Sequence, residues 1–95
     1  MKKDVEFLMV NAASLALEYK AKHPSALEEE ILKYVLNYLE VKPELKIVSV
    51  ASANEVLKIQ KMSKTLSDKE IMQAFMNNLP KLVASLVEEE EKEGF

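Results

Sequence analysis

The chain has 95 residues, 48% of them hydrophobic and 31% charged, with a formal net charge of −3 and no cysteine. A chain of that length forms one domain with a modest core, and its composition excludes wholesale disorder. The lack of cysteine excludes disulfides, thiolate nucleophiles and sulfur metal sites, and no apolar run approaches the ~18–20 residues that cross a bilayer.

The N-terminal Met-Lys-Lys-Asp runs directly into Asp4 and Glu6 without a small-residue cleavage site, so it is not read as a signal peptide. A first helix is predicted from about Asp4, as N-cap, to Lys22. Val5, Leu8, Met9, Ala12, Leu15, Ala16 and Tyr19 share one face at helical spacing. Phe7, Val10, Leu17 and Ala21 form a second stripe, so this helix is apolar around most of its circumference.

His23-Pro24 ends it, because the residue before proline disfavours the helical region. Ser25-Ala26-Leu27-Glu28 then has the form of a capping box opening a second helix that runs to about Glu40. Glu28, Glu29 and Glu30 would occupy its first turn, where the helix dipole favours carboxylates. Leu27, Ile31, Tyr34, Val35 and Tyr38 make the inner stripe, with Leu32, Leu36 and Leu39 beside them.

Two readings compete from Pro43 onward. One is a helix from Pro43 to Met62, with proline at the tolerated first position. The other is an extended Leu45–Val50 segment followed by a capping box at Ser52-Ala53-Asn54-Glu55. The helix is preferred because a lone strand has no partner in this chain, and Val56, Leu57 and Ile59 face inward in both cases. Met62 to Ser67 reads as a loop. Ser67-Asp68-Lys69-Glu70 is a further capping box, flanked by Leu66 and Ile71 at the spacing of a hydrophobic staple. Ile71, Met72, Phe75, Met76 and Leu79 then share a face, with a kink or restart expected at Pro80 before Leu82, Val83, Leu86 and Val87. Residues 88–95 read as an acidic, frayed tail. The expected fold is an all-α, compact bundle of four to five short antiparallel helices in a single domain over residues 1–95. No internal repeat stands out, although serine-capped openings recur.

Little in the inventory suggests chemistry. The single glycine, Gly94, cannot build a phosphate-binding loop, and the single histidine, His23, cannot supply a metal site alone. All thirteen basic residues are lysine, which argues against specific nucleic-acid reading because arginine is its usual agent. The lysine and glutamate enrichment has a thermophilic cast. Neighbouring glutamates at 28–30 diverge around a helix and do not share an acid–base site, and the Glu88–Glu91 run reads as a solubilising tail. Tyr19, Tyr34 and Tyr38 read as packing residues, as do Met9, Met62, Met72 and Met76.

No catalytic, cofactor-binding or metal residue is assigned, and no enzyme activity, cofactor or membrane partner is expected. The surplus apolar surface on the first two helices points to a cytoplasmic interaction protein, forming a homo-oligomer or binding another protein. Phe7, Val10, Leu17, Leu32, Leu36 and Leu39 are the candidate interface. The alternative is a lysine cluster, Lys58, Lys61, Lys64 and Lys69, binding a phosphate-bearing ligand or nucleic acid. It lies in a stretch, 41–69, with six lysines and three acids.

Overall fold

The computed structural model describes the backbone of residues 3–93 and the side chains of residues 5–86. Its helices are α1 (Lys3–Lys22), α2 (Glu28–Leu39), α3 (Lys46–Met62) and α4 (Asp68–Glu93), with a one-turn 3-10 helix at Pro43–Leu45. Among the described residues there is no strand, and the all-α bundle expected from the sequence is the fold. Its long axis of 41 Å matches α4, since 26 helical residues rise by about 39 Å.

Most helix boundaries fall where local chemistry puts them. Asp4 is an exception: it lies inside α1 instead of capping it. Pro43 opens the 3-10 turn that leads into α3, so residues 45–50 are helical and Ser52 is buried in mid-helix, with no capping role. Pro80 neither ends nor restarts α4, which stays one helix to Glu93. The tail expected to fray over 88–95 falls beyond the described side chains.

The sequence contains a repeat that its low identity conceals. Shifted by forty residues, 3–40 aligns with 43–80 with Val10/Val50, Ala13/Ala53, Leu17/Leu57, Glu30/Glu70, Ile31/Ile71, Asn37/Asn77 and Leu39/Leu79 identical. The buried positions follow the same shift: Met9/Ser49, Ala12/Ser52, Ala13/Ala53, Ala16/Val56, Leu17/Leu57, Ile31/Ile71 and Val35/Phe75 are all core. So do the loop hydrogen bonds. His23 N–H donates to Tyr19 O at 2.9 Å and Ser63 N–H to Ile59 O at 3.0 Å, while Ala26 to His23 repeats as Leu66 to Ser63.

The two hairpins, α1–α2 and α3–α4, pack by a closed exchange. The α1–α3 contact is the most extensive in the molecule. It buries Ala12, Ala13 and Ala16 of α1 and Ser49, Ser52 and Ala53 of α3, all completely. Small side chains let two backbones approach closely, and each hairpin presents the same positions to the other. Then α1 also touches α4 as α3 touches α2, while α2 and α4 do not meet among the described residues. Repeats related by translation would instead pair α2 with α4 and leave α1 apart from α4. α1 and α3 thus form the central pair, with α2 and α4 each packed against both.

The buried hydroxyls are satisfied within α3. Ser52 Oγ donates to Val48 O at 2.9 Å and Ser49 Oγ to Leu45 O at 3.2 Å, the usual fate of serine inside a helix. Phe75, Met9, Ile31, Ile71, Val35 and Val56 fill the rest of the core. Beyond the repeat, α4 adds Leu82, Val83 and Leu86 against the same cluster.

Only one of the capping boxes forms. Ser67 N–H donates to Glu70 Oε1 at 3.0 Å, and Glu70 N–H donates to Ser67 Oγ at 3.2 Å. The N-cap of α2 is Leu27, with no side-chain bond to the helix, so Ser25 does not cap it. Ser25 and Ser67 stand forty-two residues apart, and alignment on those serines shifts the repeat out of register by two.

Candidate functional site

Two aromatic positions and two leucines decide which apolar faces stay uncovered. On α1, Leu17 is core at 3% exposure, whereas Phe7 is 67% exposed. On α2 the buried line runs Ile31, Val35 and on toward Leu39, so Leu27 and Tyr38, predicted to face inward, are 66% and 64% exposed. Tyr34 stacks on Tyr19 with ring centroids 4.6 Å apart and Tyr19 lies 4.5 Å from the His23 ring, so these rings serve the hairpin.

Phe7 and Val10 of α1 meet Met76 and Leu79 of α4 in an open groove bordered by Glu6. Met76 is half exposed. In the forty-residue register, Ile47 and Val50 of α3 correspond to Phe7 and Val10, and Leu36 and Leu39 of α2 to Met76 and Leu79. Ile47 is 66% exposed, matching Phe7, and Val50, Leu36 and Leu39 are half-buried. Of the candidate interface residues, Phe7 and Val10 line the α1–α4 groove, Leu39 lines a shallow pocket with Asn11, Ser14, Leu15 and Tyr38, Leu32 and Leu36 are half-buried on α2, and Leu17 is in the core. Met76 and Leu79 complete the groove and were not among the candidate residues.

The lysine cluster is dispersed in its electrostatics. Lys58, Lys61, Lys64 and Lys69 are all exposed around the end of α3 and the start of α4. Lys61 pairs with Glu28 across the α2–α3 contact. That hydrogen bond, and then the lysine charge, hold the Glu28 carboxyl below its ordinary range. Lys69 is flanked in sequence by Asp68 and Glu70. The Glu70 carboxyl is also lowered, first by the Ser67 backbone N–H and then by the Ser67 hydroxyl. Lys20 reaches the Pro24 carbonyl at 2.8 Å, and Lys22 pairs with Glu18 at 3.3 Å. These contacts brace helix ends. Among the described residues no group of three or more His, Asp or Glu side chains is placed to hold a metal, and no helix is long and apolar enough to cross a membrane.

Fold and surface together define two helical hairpins packed on each other, with an open apolar groove between α1 and α4. No protein-family model, curated protein or solved structure matches the chain.

Proposed function

We propose that the protein is a non-catalytic helical interaction protein that associates with further copies of itself through the apolar surface left on α1 and α2. The observation that carries this reading is Phe7, a full-sized aromatic side chain 67% exposed above a groove of Val10, Met76 and Leu79. Its repeat equivalent Ile47 is equally exposed on α3. Contiguous apolar surface of this kind on a small protein marks an association site, because covering it recovers roughly 25 cal/mol per Å² of apolar area removed from water.

Size-exclusion chromatography with light scattering, across a hundredfold concentration range, tests the reading. The expected result is a mass above one chain that falls on dilution and falls further in Phe7→Glu. A monomer at every concentration overturns it.

A further inference from the structure

The joint between the two hairpins is short and strained. Residues 23–27 connect α1 to α2 and residues 63–67 connect α3 to α4, whereas only Glu40, Val41 and Lys42 separate α2 from the 3-10 turn that runs directly into α3. Glu40 turns the chain at φ 49° and ψ 49°, and no other non-glycine residue among those described has a positive φ. A side chain in that region crowds the neighbouring carbonyl, and no glycine is present here to relieve it. The second repeat shows the same stretch without a hairpin to follow. In the forty-residue register Glu40–Lys42 correspond to Pro80–Leu82, and α4 passes through them as one helix to Glu93, proline included. The turn at Glu40 is needed only to fold the second hairpin back onto the first, and straightening the joint releases its strain.

We propose that the chain exchanges hairpins with a second copy: the joint straightens, and α1–α2 of each copy packs on α3–α4 of the other. Contacts between the hairpins are more extensive than those within either one, so an opened chain does not stand alone. It would expose Ala13 and Ala16 of α1 and Ser52 and Ala53 of α3, all fully buried in the closed chain. The surface that fits them is the complementary hairpin, and a second copy supplies it in the same register. Closed and exchanged forms share every contact outside the joint, so the joint and the protein concentration set their balance. Exchange of identical elements is a low-cost route to a dimer, and short joints under strain favour it. Phe7 stays exposed in both forms, so the exchange is independent of the association through the α1–α4 groove.

The Lys61–Glu28 ion pair reports the exchange, because it bridges the two hairpins and both side chains are open to reagent. A carbodiimide, which joins amine and carboxylate without a spacer, links them within one copy in the closed chain and between copies in the exchanged dimer. The Lys22–Glu18 pair lies within α1 and stays within one copy in both, as an internal control. Equal amounts of isotope-labelled and unlabelled full-length chain are unfolded together, refolded at high concentration, separated by size exclusion and cross-linked. Mass spectrometry of the dimer fraction should find Glu28–Lys61 links of mixed label and Glu18–Lys22 links of unmixed label. Phe7→Glu should leave this dimer intact. Glu40→Gly relieves the turn and disfavours a straightened helix, and with two joints in each dimer it should weaken dimerisation about tenfold or more. The exchange is overturned by a chain that refolds only as monomer, or by a Glu40→Gly chain that dimerises as readily as wild type. A dimer whose Glu28–Lys61 links are all unmixed also overturns it, and loss of that dimer in Phe7→Glu assigns it to the groove instead.

Discussion

Leu27 occupies in the first hairpin the place that Ser67 occupies in the second, forty residues on. Ser67 exchanges two hydrogen bonds with Glu70, whereas Leu27 bonds its helix through its carbonyl alone, accepting from the Glu30 and Ile31 N–H groups, and its side chain caps nothing and is 66% exposed. Glu30 already stands where Glu70 stands. The first hairpin thus holds half of a capping box.

Leu27→Ser should complete that box. An N-cap hydroxyl in place of an aliphatic side chain is worth about 1 kcal/mol, and for a domain of this size that raises Tm by roughly 4–8 °C. Ser67→Ala should lose a similar amount. Thermal melts of the two single variants check both signs, and an unchanged Tm in Leu27→Ser would show that Glu30 does not close the box.

Glu40 ends α2 in the left-handed region, with φ 49° and ψ 49°. A side chain at that position crowds the following carbonyl, which costs roughly 1–2 kcal/mol in a non-glycine residue. Its carboxylate also sits at the negative end of the helix dipole, with no basic residue in the last turn to offset it. Glu40→Gly should therefore stabilise the fold by about 1 kcal/mol, measured by urea denaturation with an unchanged m-value.

Phe75 and Phe7 separate folding from association. Phe75 is fully buried, and Phe75→Ala should cost about 3–5 kcal/mol through lost transfer energy and the cavity left behind. Phe7 is mostly exposed, and Phe7→Ala should change the stability of the single chain by less than about 0.5 kcal/mol while lowering the assembly state. Denaturation at high dilution gives the first comparison, and light scattering at high concentration the second.

The α1–α3 seam should tolerate loss and reject gain. Ser52→Ala keeps the size, and the Val48 carbonyl retains its backbone partner, so the change should be within about 1 kcal/mol of neutral. Ala13→Leu inserts three carbons at a fully buried position and should cost about 1–3 kcal/mol or more. Both are read from denaturant midpoints. A well-tolerated Ala13→Leu would mean that the two backbones are not closely apposed.

Acid should weaken the second hairpin through Glu70. Its folded carboxyl is held below the ordinary glutamate value by Ser67, so the charged form is favoured in the fold. The resulting stability is present above the unfolded-state value, near 4.3, and is lost as pH falls through the lowered folded value. Wild type should exceed Glu70→Gln in stability at pH 7, and the two should converge in strong acid. Melting curves from pH 7 to pH 2 test the convergence.

The helices themselves were legible because their causes are local. His23-Pro24, Pro43 and Ser67-Glu70 punctuate the chain, and helical spacing marks Met9, Ala12 and Ala16, then Ile31 and Val35, then Ile71 and Phe75. The repeat was harder to read. Its two halves preserve burial far better than identity, as in Met9/Ser49 and Val35/Phe75, and the conspicuous serines lie off its register.

By itself the sequence determined an all-α chain, the approximate extent of each helix and the absence of cysteine chemistry, since spacing, capping and composition act over a few residues. Only the tertiary structure decided which apolar stripe was covered. Periodicity shows that α1 has two such stripes, but whether Leu17 or Phe7 is buried depends on where α3 and α4 lie. The same holds for Lys61, which meets Glu28 only because the second hairpin folds back on the first. A face is buried by its neighbour, and neighbours distant in sequence are chosen by how the two hairpins fit.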